Sequence, residues 1–501
     1  MMSGNLGYPR IGPNREWKKA LEAFWSGKLE EAKLHAELKA IRLNNLKVQR
    51  ESGIDVIPVG DFTYYDHMLD LSAMFGLVPK RFGYAGGAVG LGVYFAVARG
   101  SREAAASEMT KWFNTNYHYI VPELADARPA LTGNRLLDAY REAKEELGIE
   151  GRPVLVGPYT FLKLAKGYAP DELDAWIDRL LPLYAQVLRE LEAEGVPWVQ
   201  MDEPILATTL EGRDWARVVR VYETLAKELP KLKLLLQTYF ESVDAYETVV
   251  NLPVHGIGLD FVHDGGRNLD AVRKFGFPAD KTLGAGVIDG RGIWRADLGA
   301  KLDTLAALRE FVAADRLLVQ PSCSLLHVPV SAAAEAALPA ELRGALAFAD
   351  EKLAELALLA KAGREGADAV AAELAAARRS RAALAQSAAR SRPQVRARME
   401  RLAALPDRRA ASRSRRSPQT ASRISPGMTI GTSRRDAHGW SGVIAGRQSV
   451  VTVVQQMISH GSSQPNSRPR RRRPASTAAA KTASATAGTP RYQNTQWSER
   501  S

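Results

Sequence analysis

Residues 198–204 read WVQMDEP: a short apolar run, then two carboxylates and a proline. A run too apolar to have one wet face suits a parallel strand covered on both sides. The segments before and after it, residues 171–194 and 214–228, carry apolar residues at helical spacing. Working outward, the same unit recurs. Apolar runs occur at residues 5–6 with their neighbours, 54–59 (IDVIPV), 154–156, 232–236, 256–261, 283–288 and 317–320, which with 198–201 makes eight. Strands alternating with helices argue for βα units, and eight of them for an α/β fold, a single (β/α)8 barrel of the TIM type. A doubly wound sheet is the alternative, but no run leads into a G-x-G-x-x-G turn that opens a helix.

Polar residues gather just past the runs: Asp61, Asp202 and Glu203, Tyr239, His263, then Asp289, Arg291 and Trp294, and finally Ser322, Cys323 and His327. In a barrel these positions share the carboxyl-end face, where active sites lie, although loops also end strands in polar residues because they are hydrated. About ninety residues separate the second run from the third, so a large insertion, residues 62–152, must elaborate the barrel. It contains KWFNTNYHY at 111–119, the densest mixture of aromatic and polar residues in the chain. Its GGAVGLG at 86–92 has no following Lys-Ser/Thr and no preceding strand, so a flexible loop is preferred to a phosphate loop.

The formal charge of +12 is unevenly placed. Residues 407–501 carry 17 Lys/Arg against 3 Asp/Glu, leaving 51 against 53 in residues 1–406. The Ala-, Leu- and Arg-rich residues 332–405 read as helices, packed on the barrel over 342–359 and an exposed connector from 376. The expected organisation is therefore a barrel over 1–375, a helical connector over 376–406, and a disordered Arg/Ser-rich tail over 407–501. Within the tail, only residues 450–458 resemble a strand, and RRRR at Arg470–Arg473 offers salt-dependent phosphate contacts. A nucleic-acid partner is nevertheless not expected, because such a tail also results from a shifted reading frame in a GC-rich gene. The opening MMSGNLGYPR lacks a charged region followed by an apolar run, and no stretch approaches 18 apolar residues. No secretory signal and no membrane span are expected, and the single cysteine fits a cytoplasmic protein.

Seven blocks carry a family resemblance: LGYPRIGPNREWKKALEAFWSG (6–27), GIDVIPVGDFTYYDHMLD (53–70), EMTKWFNTNYHYIVPE (108–123), WVQMDEP (198–204), LLLQTYFE (234–241), GRGIWRADL (290–298) and SCSLLHVP (322–329). In this order they resemble the amino-terminal barrel of the cobalamin-independent methionine synthases. The resemblance implies methyl transfer from 5-methyltetrahydropteroyl-polyglutamate to homocysteine without cobalamin. It also implies that the chemistry belongs to a second barrel, where a zinc held by His, Cys, Glu and Cys activates the homocysteine thiol. The first barrel is then expected to bind the glutamate tail of the folate. By position the tail-binding residues are Arg15, Glu16, Trp17, Lys18 and Lys111, whose cations suit a string of carboxylates. Composition alone would read Arg15 to Lys19 as the solvated face of an opening helix.

The catalytic half is expected to be missing. Two zinc thiolates need two cysteines, and Cys323 is the only one. It lies in a first-barrel block and reads as a small buried residue. Nothing in their spacing specifies a metal site of Asp202, His263 and His327, and the D-E-P block occurs once. No catalytic or metal-ligating residue is expected in this chain. Homocysteine would be engaged only with a catalytic barrel, and the alternative function is a non-catalytic folate-polyglutamate-binding module working with such a barrel.

Overall fold

The computed structural model describes residues 1–387 and 392–403. The tail expectations, including Arg470–Arg473 and the strand-like residues 450–458, lie outside the described residues. Ten strands are present: β1 Met2–Ser3, β2 Pro58–Val59, β3 Met109–Lys111, β4 His118–Ile120, β5 Arg152–Val156, β6 Trp198–Asp202, β7 Lys233–Gln237, β8 Gly256–Asp260, β9 Thr282–Ile288 and β10 Leu317–Pro321. Eight of them form one parallel sheet in the order β1-β10-β9-β8-β7-β6-β5-β2. A parallel bridge between Gly4 and Val56 joins its two ends, with the Asn5 amide on Val56 O and the Val56 amide on Ser3 O, both at 3.0 Å. The sheet thus closes on itself, and the eight apolar runs are its staves.

Helices cover the outer face. The helix Leu173–Ala193 ahead of β6 buries Trp176, Ile177, Leu180, Tyr184, Leu188 and Leu191, one stripe at spacings of three and four. Each such side chain contributes on the order of 2 kcal/mol on leaving water. The interior of the barrel is more polar than the apolar strand pattern suggests. Gln320 Nε2 donates to Gln237 Oε1 at 2.7 Å, and Arg152 donates to Gln200 Oε1 at 2.8 Å. Burial pulls Arg152 down to about 10. Room for these side chains comes from the neighbouring strand: a Cβ on Gly258 would lie 1.9 Å from Gln237 Oε1.

The insertion between β2 and β5 folds over one side of the barrel mouth. β3 and β4 make an antiparallel hairpin in which Lys111 faces His118. Asp66 ties it down, because its carboxylate accepts the Met68 and Leu69 amides at the start of the helix His67–Met74 and the Ile120 amide of the hairpin. Around this anchor Leu21, Leu34, Leu38, Phe62, Leu69, Tyr94, Phe95 and Ile120 build a second small core. The glycine-rich residues 86–92 form a loop that runs into the helix Leu91–Arg99.

Past β10, the helix Ala349–Glu365 buries Leu353, Leu356 and Leu359. The helices Ala371–Gln386 and Pro393–Ala403 follow, the latter exposing Val395, Met399 and Leu402. Among the described residues no helix is long and apolar enough to cross a membrane.

Candidate functional site

The carboxyl ends of the strands open into a cavity of about 340 Å³. Asp61 follows β2, Asp202 ends β6, Tyr239 follows β7 and His327 follows β10, and all four line it. These are residues that strand-end reasoning singled out. The insertion adds His67, Trp112 and Tyr117, which no pattern in the sequence placed there.

The two neighbours of the D-E-P block part company. Asp202 turns to the cavity, where its carboxylate accepts from Gln200 Nε2 at 2.7 Å and the Tyr239 hydroxyl at 3.3 Å. Burial pushes it up to about 7, despite those two bonds. Glu203 is buried instead against the start of the helix Pro158–Leu164. It accepts the amides of Tyr159 (3.0 Å) and Thr160 (2.6 Å) and the Tyr222 hydroxyl (3.2 Å). A carboxylate facing free amides at a helix start is a structural arrangement. Asp61 accepts the Tyr8 amide at 2.8 Å, and burial raises it to about 6.

Two neutral imidazoles complete the mouth. Burial, with Arg10 nearby, lowers His67 to about 3, and burial with Arg291 lowers His327 to about 4. Tyr117 stacks on His67 at 5.3 Å and meets His327 edge-on at 6.1 Å.

Beside the cavity, an open cleft lies between the hairpin tip and the loop after β9. Asn114, Tyr117, Asp289, Arg291 and His327 line it. His263 bridges two carboxylates there, with Nδ1 3.0 Å from Asp260 and Nε2 3.4 Å from Asp289. Arg291 Nε shares the Nε2 edge at 3.2 Å. Burial works against a charged ring, but the two carboxylates outweigh it and raise His263 to about 9. A folded-state value above the free value of 6.5 means that the charged ring stabilises the fold fully below pH 6.5. That contribution fades as the pH rises through about 9. We expect denaturation midpoints to fall from pH 6.5 to 9.5 by about 2 kcal/mol more in the parent chain than in His263→Gln. Equal slopes in the two proteins would contradict it.

The five residues assigned to the folate tail lie elsewhere, and none lines the cavity. Arg15 is exposed, with φ of 65°, just before the helix Glu16–Trp25. Glu16 folds back to accept the Asn14 amide and side chain, each at 3.0 Å. Trp17 donates its indole N–H to Thr63 O at 3.2 Å, and Lys18 faces Glu22 at 3.5 Å. Lys111 is exposed on β3. Arg10 links the two groups: its guanidinium lies 4.7 Å from the Trp17 ring and 5.4 Å from that of Tyr117, and donates to the Tyr65 carbonyl at 2.6 Å. Sequence reasoning passed over Arg10, which sits inside a quoted block but gains its meaning only from rings brought together by the fold.

The family described as cobalamin-independent synthase, N-terminal domain, matches residues 2–313. The chain belongs to this family. It is 56% identical over 396 residues to the 5-methyltetrahydropteroyltriglutamate–homocysteine methyltransferase of Listeria welshimeri, covering 79% of this chain and 52% of that one. The enzyme of the same name from Halalkalibacterium halodurans is 58% identical over 356 residues, covering 71% and 47%. The chain therefore spans about half the length of the curated relatives it matches. In fold it is similar to a solved structure described as a vitamin-B12-independent methionine synthase from Listeria monocytogenes, with a TM-score of 0.50 at 14% identity, covering 73% of this chain and 98% of that one.

The zinc that the family resemblance implies does not fit the residues present. Among the described residues no group of three His, Cys, Asp or Glu side chains is placed to hold a metal ion. Cys323 is fully buried, and burial pushes its thiol well above the usual range. Asp202 and His327 reach the cavity, whereas His263 is held between Asp260 and Asp289, so these three do not converge.

Proposed function

We propose that this chain is the folate-tail-binding half of a methyltransferase that moves a methyl group from 5-methyltetrahydropteroyl-polyglutamate to homocysteine, and that it cannot perform the transfer alone. The observation that carries this reading is the 56% identity to a methyltransferase of that name over half of its length. Residues 1–375 would form the binding barrel, 376–406 the connector, with the helix Ala371–Gln386 running across that boundary, and 407–501 a tail outside the function. Zinc would reside in the half that this chain does not match, together with the homocysteine site.

Arg15, Glu16, Trp17, Lys18 and Lys111 would hold the polyglutamate. Arg15 and Lys111 are exposed and form no ion pair among the described residues, which leaves both cations available to ligand carboxylates. Lys18 could exchange its partly exposed contact with Glu22 for the tail. Trp17, fixed by Thr63 and Arg10, would support the chain of the ligand. Glu16 would act on the shape of the loop through Asn14 rather than on the anionic tail itself.

Calorimetry with a triglutamate folate tests this. We expect Lys111→Ala to weaken binding about fivefold, as befits one exposed charge-assisted contact of about 1 kcal/mol. Doubling the ionic strength should weaken the parent protein and bring the two closer together. Equal affinities at low salt would remove Lys111 from the site.

A further inference from the structure

Five carboxylates and two guanidinium groups line the cavity at the barrel mouth. Both guanidinium groups are engaged: Arg42 holds Glu142 through two bonds at 2.6 and 2.8 Å, and Arg135 holds Asp70. Asp138 is exposed at the rim. That leaves Asp61 and Asp202, and among the described residues neither forms an ion pair. Their hydrogen-bond partners are the Tyr8 amide, the Gln200 amide group and the Tyr239 hydroxyl, all neutral.

Two buried carboxylates without a counter-charge are costly to ionise, and an incoming cation would relieve that cost. An anion would meet both of them with no free cation to offset the repulsion. A separate observation concerns His67. Its Nε2 is buried, lines the same cavity region and has no hydrogen-bond partner among the described residues. A neutral imidazole nitrogen of this kind can accept from an N–H group. The surrounding wall is aromatic, with Trp112, Tyr117 and Tyr239, and ring faces attract cations when water is excluded. The volume suits a ligand of modest size.

We propose that the barrel mouth binds a small organic cation, with a primary ammonium group held by Asp61 and Asp202 and donating to His67, and an apolar body against Trp112, Tyr117 and Tyr239. This site is distinct from the residues assigned to the folate tail, and its test is independent of that reading.

The full chain is titrated calorimetrically at pH 8 with phenethylammonium, with 2-phenylethanol and 3-phenylpropionate as neutral and anionic counterparts. The ammonium compound is expected to bind at least tenfold more tightly than either counterpart. Asp61→Asn and Asp202→Asn should each weaken it at least tenfold. The charged groups around these carboxylates are Arg10 and Arg42 towards Asp61, and Arg152 and Glu203 towards Asp202. Lowering the pH from 8 to 5 protonates both carboxylates, so the parent protein should lose at least tenfold in affinity for a ligand that stays charged. This comparison needs no variant and decides the matter if the substitutions impair folding. No binding of the ammonium compound, equal affinity for the alcohol, or an affinity unchanged between pH 8 and 5 would overturn the proposal.

Discussion

Incubated with zinc, homocysteine and 5-methyltetrahydropteroyltriglutamate, the 501-residue chain is expected to form methionine at no more than about one-thousandth of the rate of the full-length Listeria welshimeri relative. The argument is chemical. A neutral thiol is a poor nucleophile, and metal binding is an effective way to hold it as the thiolate near neutral pH. Loss of a metal-assisted step removes several kcal/mol of transition-state stabilisation, and about 4 kcal/mol is a thousandfold in rate. This chain has one cysteine, and it is fully buried with its thiol pushed up by burial. A Cβ on Gly290 would lie 2.9 Å from its sulfur, so there is no room beside it for a metal and further ligands on that side. The chain matches only 52% of the relative. Methionine measured by mass spectrometry after single-turnover and steady-state incubations gives the answer. A rate within tenfold of the full-length relative would mean that the metal chemistry has been misplaced.

Gly286→Ala is expected to destabilise the barrel by about 3 kcal/mol, the upper part of the range for overpacking a closed interior. Gly286 sits in β9 between β8 and β10. A Cβ there would lie 2.7 Å from Leu259 O and 2.9 Å from Ser322 Cα, both backbone atoms of the flanking segments. A side chain could rotate away, as Gln237 might beside Gly258 at the expense of its bond from Gln320. Backbone can yield only by moving strands, and Gly286 O already accepts the Phe261 amide at 2.9 Å. The effect should appear as a lower urea midpoint at an unchanged slope. A midpoint within error of the parent protein would contradict the register of β8, β9 and β10.

The eight strands were legible because parallel strands buried on both faces are continuous apolar runs, and such runs stand out between amphipathic helices. WVQMD became β6 and IDVIPV ran into β2 for this reason. The insertion was visible as excess length but not as a shape. Its hairpin depends on Asp66 meeting Ile120, a contact 54 residues apart in the chain. Candidate residues divide in the same way. Asp202 and Glu203 are adjacent and chemically alike, and the sequence could not tell which would face the cavity. Strand alternation and the start of a neighbouring helix sent Glu203 outward to the amides of Tyr159 and Thr160.

By itself, then, the sequence determined the barrel, its family, the concentration of polar groups at one end, and the want of a second thiolate, because composition, periodicity and local motifs carry that information. Only the tertiary structure decided the surroundings of each polar group. It buried Asp61 and Asp202 without a counter-charge, set Arg10 between Trp17 and Tyr117, and bracketed His263 with two carboxylates. Charge states and hydrogen-bond partners depend on neighbours within a few ångströms, and those neighbours come from segments that the linear chain keeps far apart.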